Sequence, residues 1–175
     1  FNMNDLKRFD AKNFSIYSHR NKIICFLLII VIFFFDRITK IKIINHQIDN
    51  DSIYINDFIN LELVWNTGIG FGLLSSNSAL IYNSITTLIG LILIIIIFLI
   101  IKSNYFEKIL YSIIFGGALG NFYDRIVYFA VPDFIDIHYQ RFHWFTFNIA
   151  DIFITVGIFL LIIKELFLKN EKNII

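Results

Sequence analysis

One cysteine, one proline and one methionine occur in a chain of 175 residues, and only 17% of it is charged. The single Cys25 excludes a disulfide within the chain and a thiolate metal site. It lies inside an apolar run and reads as a small buried apolar residue. The net charge of +1 gives no basic face for nucleic acid. Soluble domains carry about 25% charged and about 45–50% apolar residues. Here 57% of the residues are hydrophobic and the mean hydropathy is +0.70. That excess is too great for one soluble core and indicates a helical membrane protein.

A bilayer span takes about 20 predominantly apolar residues. Four segments qualify, at about 22–44, 79–101, 109–127 and 147–168. The second contains no charge. The first holds the run Ile23–Phe35, which covers only about 20 Å as a helix and must continue through Asp36 and Lys40 to span. These two are four residues apart and so face the same way. A mutually neutralising pair turned into the bundle is the least costly arrangement, with Arg37 and Lys42 snorkelling outward. Arg20 and Lys22 before an apolar run imitate a signal peptide. No small-residue cleavage site follows, so the segment reads as a retained first span.

Basic residues set the orientation. Lys7, Arg8, Lys12, Arg20, Lys22, Lys102, Lys108, Lys164, Lys169 and Lys172 fall on one side; Arg37, Lys40, Lys42, Arg125 and Arg141 fall on the other. Both termini are therefore expected in the cytoplasm. The expected organisation is a tail at 1–21, one membrane-embedded domain at 22–168 and a tail at 169–175. The connections at about 45–78 and 128–146 should face outward. In the first of them, Ile53-Tyr54-Ile55 and Leu61-Glu62-Leu63-Val64-Trp65 have strand composition, which predicts a small sheet at the membrane surface. Gly68, Gly70 and Gly72 follow at alternate positions and suit a tight backbone feature or the close approach of another chain. No Lys-Ser or Lys-Thr follows them, as a phosphate loop would require.

Ionisable groups at membrane depth are costly and therefore mark function. In the third segment Gly116-x-x-x-Gly120 permits close helix packing. Asn121, Asp124 and Arg125 follow near the outer end, with Asp124 about 24 Å beyond Lys108 along the axis. Taken alone, this cluster is equally readable as an interfacial anchor. Asp151, with Asn148 three residues before it on the same helical face, lies in the outer part of the fourth segment. Asp133 lies in the outer connection, its approach stiffened by Pro132. Asp133 and Asp151 thus arrive at the same depth, where two carboxylates could share one proton. Asp136 is also near, but its side chain could point elsewhere. His19, His46, His138 and His143 lack the ligand spacings of a zinc site. Ser75, Ser76 and Ser78 have no nucleophile-elbow context.

Five motifs occur in order: Asp36-x-x-x-Lys40; Asn66-x-Gly68-x-x-Phe71-Gly72; Gly116-Gly117-Ala118-x-Gly120-Asn121-x-x-Asp124-Arg125; Val131-x-Asp133-Phe134; and Phe147-Asn148-x-Ala150-Asp151. Together they resemble bacterial lipoprotein signal peptidase, signal peptidase II, over about residues 22–163. The resemblance implies an all-α integral membrane protein of four transmembrane helices, with a small extracytoplasmic β-sheet and a short surface helix. It implies an aspartic endopeptidase, without metal or other cofactor, that cuts diacylglyceryl-modified prolipoproteins just before the lipidated cysteine. The implied setting is the bacterial inner membrane, among lipid, with the active site near the outer face. The catalytic pair maps onto Asp133 and Asp151. Asn66, Gly68 and Arg125, with Asn121 and Asn148, map onto substrate-binding and supporting positions. Asp36, Lys40 and Asp124 map onto structural polar positions. The inhibitor globomycin is expected in the same cleft. Ile69-Gly70, where small residues such as alanine are frequent in the family, and Pro132 depart from the pattern without removing a catalytic group.

A pair of close carboxylates resists double ionisation, so one keeps a proton while the other activates water. The alternative is a small transporter or proton-conducting protein with intramembrane acids as relays. It predicts acids spread through the depth of the membrane, whereas here the second span has none and the rest gather toward one side. A scaffold held by glycine packing is a third reading, and leaves the two aspartates unexplained.

Overall fold

The computed structural model describes residues 3–47, 52–68 and 78–172. Its elements run α1 (Met3–Gln47), β1 (Ile53–Asn56), β2 (Ile59–Asn66), α2 (Ala79–Lys102), α3 (Tyr105–Val127), β3 (Val131–Tyr139), β4 (Phe142–Phe147) and α4 (Ile149–Lys172). The four helices contain the expected apolar segments, except that the fourth segment's first two residues, Phe147 and Asn148, precede α4. Helix α1 is longer than its expected span, starting at Met3 where a tail was expected. No short surface helix occurs among the described residues, and Gly70, Phe71, Gly72, Ser75 and Ser76 lie outside them.

Local chemistry fixes the helix ends. Asn104 caps α3 by accepting from the Glu107 amide at 3.1 Å. At its far end the Tyr128 amide donates to the Asp124 carbonyl at 2.7 Å, and Phe129 takes a positive φ of 56° as the chain turns into β3.

The sheet is larger than expected. Its four strands are antiparallel in the order β1-β2-β3-β4, so half of it comes from the second connection. Asp133, expected in a loop, lies in β3, and Phe147, expected in the fourth span, ends β4. The β1–β2 turn is closed by Asn56, whose side-chain oxygen accepts from the amides of Phe58 (2.9 Å) and Ile59 (3.0 Å). Where the β2–β3 register shifts between Leu61 and Val64, Gln47 supplies the missing partners. Its amide donates to the Leu61 carbonyl at 2.9 Å and its oxygen accepts from the Leu63 amide at 2.5 Å. The sheet is thereby fastened to the end of α1.

Helix α3 is the central element, packed against α1, α2 and α4. Its glycines permit that approach. A Cβ on Gly116 would stand 3.0 Å from Ile32 of α1, and one on Gly117 would stand 2.6 Å from the Ala150 carbonyl of α4. The helices are polar within and apolar without. Asp36, Lys40, Asp124 and Asn148 are completely buried, while Phe26, Val31, Leu80, Phe98, Leu166 and Phe167 project outward. Such large apolar exposure on every side is incompatible with water as the surrounding medium. Among the described helices, α2 alone is apolar enough along its length to cross a membrane by composition. The charged groups that disqualify α1 are largely those turned inward, Asp36, Arg37 and Lys40.

Candidate active site

Strand pairing and a helix cap bring Asp133 and Asp151 to one cavity. In the β2–β3 ladder Asp133 stands opposite Val64, and Asn66 lies two residues on, on the same face. The Asn66 side-chain oxygen accepts from the Gly68 amide at 2.8 Å, which aims its amide group at Asp133 Oδ2, 2.9 Å away. Asp151 is placed by a reciprocal cap at the start of α4. Asn148 Oδ1 accepts from the Asp151 amide at 3.1 Å, and Asp151 Oδ2 accepts from the Asn148 amide, also at 3.1 Å. Asn148 therefore caps the helix, where it was expected on a helical face beside Asp151.

Asn148 also joins the two acids. Its side-chain amide donates to Asp133 Oδ1 at 2.6 Å. Asn121 of α3 donates to the remaining Asp151 oxygen, Oδ1, at 2.8 Å. Among the described residues each carboxylate thus accepts two hydrogen bonds, from uncharged donors. Burial, and after it the charge of Asp151, pushes the Asp133 carboxyl up to about 7, against the pull of the Asn66 and Asn148 amides.

Behind this pair lies a network of buried charges. Lys40 Nζ donates to Asp36 Oδ2 (2.8 Å), Asp124 Oδ2 (2.7 Å) and Asn121 Oδ1 (2.7 Å). The last bond fixes the amide orientation of Asn121 and so points its NH₂ at Asp151. Asp36 Oδ1 accepts from the Ala150 amide at 3.0 Å, satisfying another open donor of the α4 N-terminus. The expected Asp36–Lys40 contact is present. Arg37, expected to snorkel outward, is instead buried. It pairs with Asp124, donates to the Tyr128 hydroxyl at 3.1 Å and lies against the Tyr123 ring. Helix α3 supplies enough acid and aromatic surface to compensate the guanidinium, which its own helix does not reveal.

Arg125 is buried, donates through Nη2 to the Gly68 carbonyl and lies over the Tyr82 ring. Its Nε and Nη1 have no hydrogen-bond partner among the described residues. Tyr82 holds the segment in place by donating its hydroxyl to the Arg125 carbonyl at 2.7 Å. Nothing in the sequence around Tyr82 signals that role.

Asp133, Asp151, Asn66, Asn121 and Arg125 all line one cavity of about 480 Å³. The rest of its wall is chiefly aliphatic: Ile89, Leu93 and Ile96 of α2, Ile114 of α3, and Ile154 and Ile158 of α4. Asn66 and Asp133 come from the sheet, with Asn121, Arg125 and Asp151 from α3 and α4, while Tyr111 and Thr155 add polar groups elsewhere in the wall. Such a cleft accepts an apolar segment along the helices and presents one polar bond to two acids and a guanidinium. Asp136 does point elsewhere, toward His138 and His143.

The family model described as Signal peptidase (SPase) II matches residues 28–167. A lipoprotein signal peptidase of Pelagibacter ubique is 55% identical over 149 residues, covering 84% of this chain and 90% of that protein. One from Francisella tularensis subsp. novicida is 41% identical over 160 residues, covering 87% and 98%. Two solved bacterial membrane enzymes, determined by the in meso method, share the fold. One, at 2.3 Å resolution, is 34% identical with a TM-score of 0.67 over 85% of this chain and 90% of that one. The other, at 1.9 Å, is 32% identical with a TM-score of 0.68 over 81% and 92%.

Proposed function

The chain belongs to the signal peptidase II family and is an aspartic peptidase of the bacterial membrane, and we propose that Asp133 and Asp151 are its catalytic pair. Its function is the processing of lipoprotein precursors; these comparisons give the transporter alternative no support. The observation that carries the dyad assignment is the meeting of Asp133 and Asp151 at one cavity, bridged by Asn148.

The pair shares a proton and titrates as a unit. Its ionised member takes a proton from a water that attacks the scissile carbonyl, and its protonated member donates to the carbonyl oxygen. Transfer of a proton to the leaving amine then breaks the C–N bond. Asn66, Asn121 and Asn148 orient the carboxylates. Arg125 Nε and Nη1, which have no partner among the described residues, suit a carbonyl of the bound peptide. Asp36, Lys40 and Asp124 keep these supports in register.

The domain at 22–168 holds four transmembrane helices and the sheet, and α1 and α4 continue into the end segments 1–21 and 169–175. Both ends lie in the cytoplasm, and the sheet and dyad lie at the outer side. The excess of basic residues toward the opposite end supports this orientation. The substrate is a prolipoprotein carrying a diacylglyceryl-modified cysteine. Its signal helix and acyl chains stay beside the aliphatic wall and the surrounding lipid while the peptide bond reaches the acids. A globomycin-type inhibitor occupies the same cleft. Purified protein given lipidated and unlipidated forms of one precursor tests this by mass spectrometry. Cleavage of the lipidated form alone, leaving the modified cysteine as the new N-terminus, is expected. Equal cleavage of both, or cutting at another bond, would contradict it.

A further inference from the structure

The β3–β4 hairpin carries a second cluster of titratable groups, outside the cavity just described. His138 and His143 are direct cross-strand partners beside a register shift, with their rings stacked at a centroid distance of 5.4 Å. Asp136 precedes His138 by two residues and shares its face. Asp136 Oδ2 lies 2.7 Å from His143 Nδ1 and 3.4 Å from His138 Nδ1. The three ligand atoms all fall within 4.8 Å of one another. Two imidazole nitrogens and a carboxylate oxygen at such separations can converge on one ion at about 2.0–2.2 Å from each.

A proton explains only half of this arrangement. His143 can donate its Nδ1 hydrogen to Asp136. His138 Nδ1 is buried and makes no hydrogen bond among the described residues, although it lies 3.4 Å from the same carboxylate oxygen. Asp136 and His138 are 2% and 6% exposed, so water does not readily satisfy them. In its unprotonated tautomer His138 Nδ1 sets its lone pair against the carboxylate oxygen, and in its protonated one it still makes no hydrogen bond there among the described residues. A cation between them removes the conflict. His143, by contrast, has a side chain 53% exposed and leaves an entry path and an open coordination position.

We propose that Asp136, His138 and His143 form a binding site for one borderline divalent transition ion, of which Zn²⁺ is the representative. The donor set of two imidazoles and one carboxylate suits such an ion and disfavours Mg²⁺ and Ca²⁺, which take oxygen ligands. Binding clamps β4 to β3, the hairpin that runs from Asp133 to the residue before Asn148. The site is separate from the peptidase chemistry and stands independently of the dyad assignment.

The test uses the full chain in detergent, without a histidine tag, freed of metal and titrated with ZnCl₂ by calorimetry. One Zn²⁺ per chain is expected, with a rise in the thermal midpoint and X-ray absorption showing nitrogen and oxygen neighbours at about 2.0–2.1 Å. His143→Ala changes an exposed side chain, so it should remain folded and lose the saturable binding. His46→Ala should keep it, and excess Mg²⁺ should not displace the ion. Absence of saturable Zn²⁺ binding by the unaltered chain, or equal binding by His143→Ala, would overturn the proposal.

Discussion

Asn148 donates its side-chain amide to Asp133 at 2.6 Å while its own backbone amide binds Asp151, so one residue sets the spacing of both acids. Asn148→Ala should cost about 1 kcal/mol through the lost helix cap. It should lower kcat by about 100-fold, the scale expected when reacting groups move by an ångström. Asn148→Ser can still cap α4 but cannot reproduce the same donor geometry at Asp133. Recovery of thermal stability without recovery of rate, measured side by side, separates positioning from folding.

The Asp133 carboxyl, lifted to about 7 by burial and by Asp151, makes activity and stability depend on pH. Its ordinary value is near 3.9. A raised acid favours the folded state fully below about 3.9, and that advantage is lost as pH rises through about 7. Thermal inactivation of the unaltered chain should therefore become easier over that window, relative to Asp133→Asn, which stays neutral throughout. The rate kcat/KM should fall on the alkaline side with an apparent pKa of about 7, as the shared proton leaves.

Lys40 is completely buried and holds Asp36, Asp124 and Asn121 together. Lys40→Met keeps the volume and removes the charge. It should destabilise the protein by about 3–5 kcal/mol, because Asp36 loses its cation within the bundle. Adding Asp36→Asn should recover part of that loss, since the amide oxygen can still accept from Ala150. Unfolding midpoints of the single and double variants in one detergent check both statements.

Gly120 packs so closely that an added Cβ would stand 2.5 Å from Asp36 Oδ2, an atom fixed by Lys40. Gly120→Ala should cost about 1–3 kcal/mol by overpacking. At Gly90 the nearest atoms are the tip of the Phe122 ring at 3.3 Å. That ring can give way, so Gly90→Ala should cost less. Thermal midpoints of the two variants provide the comparison.

The helices were legible because long apolar runs leave few alternatives, and the segment at 79–101 matches α2 to within one residue. The Asp36–Lys40 pair was legible because a spacing of four fixes a shared face. What depends on partners distant in sequence was not. Arg37 finds Asp124 across 87 residues. Strands β3 and β4 mix aromatic, histidine and acidic residues with little alternation, so they did not stand out from a connection. His138 and His143 are set aside as ligands by their spacing along the chain. Their closeness comes from cross-strand register, which ligand spacing along a helix or loop does not express. Asn148 looked like a neighbour of Asp151 on a helix; only the position of the helix start makes it a cap and a bridge.

The most direct test is cleavage of a lipidated precursor by Asp133→Asn and Asp151→Asn, with insertion and thermal midpoint monitored for each. Both variants should insert and fold while cleavage falls to background. Turnover near the unaltered rate by either one would contradict the assignment of the pair.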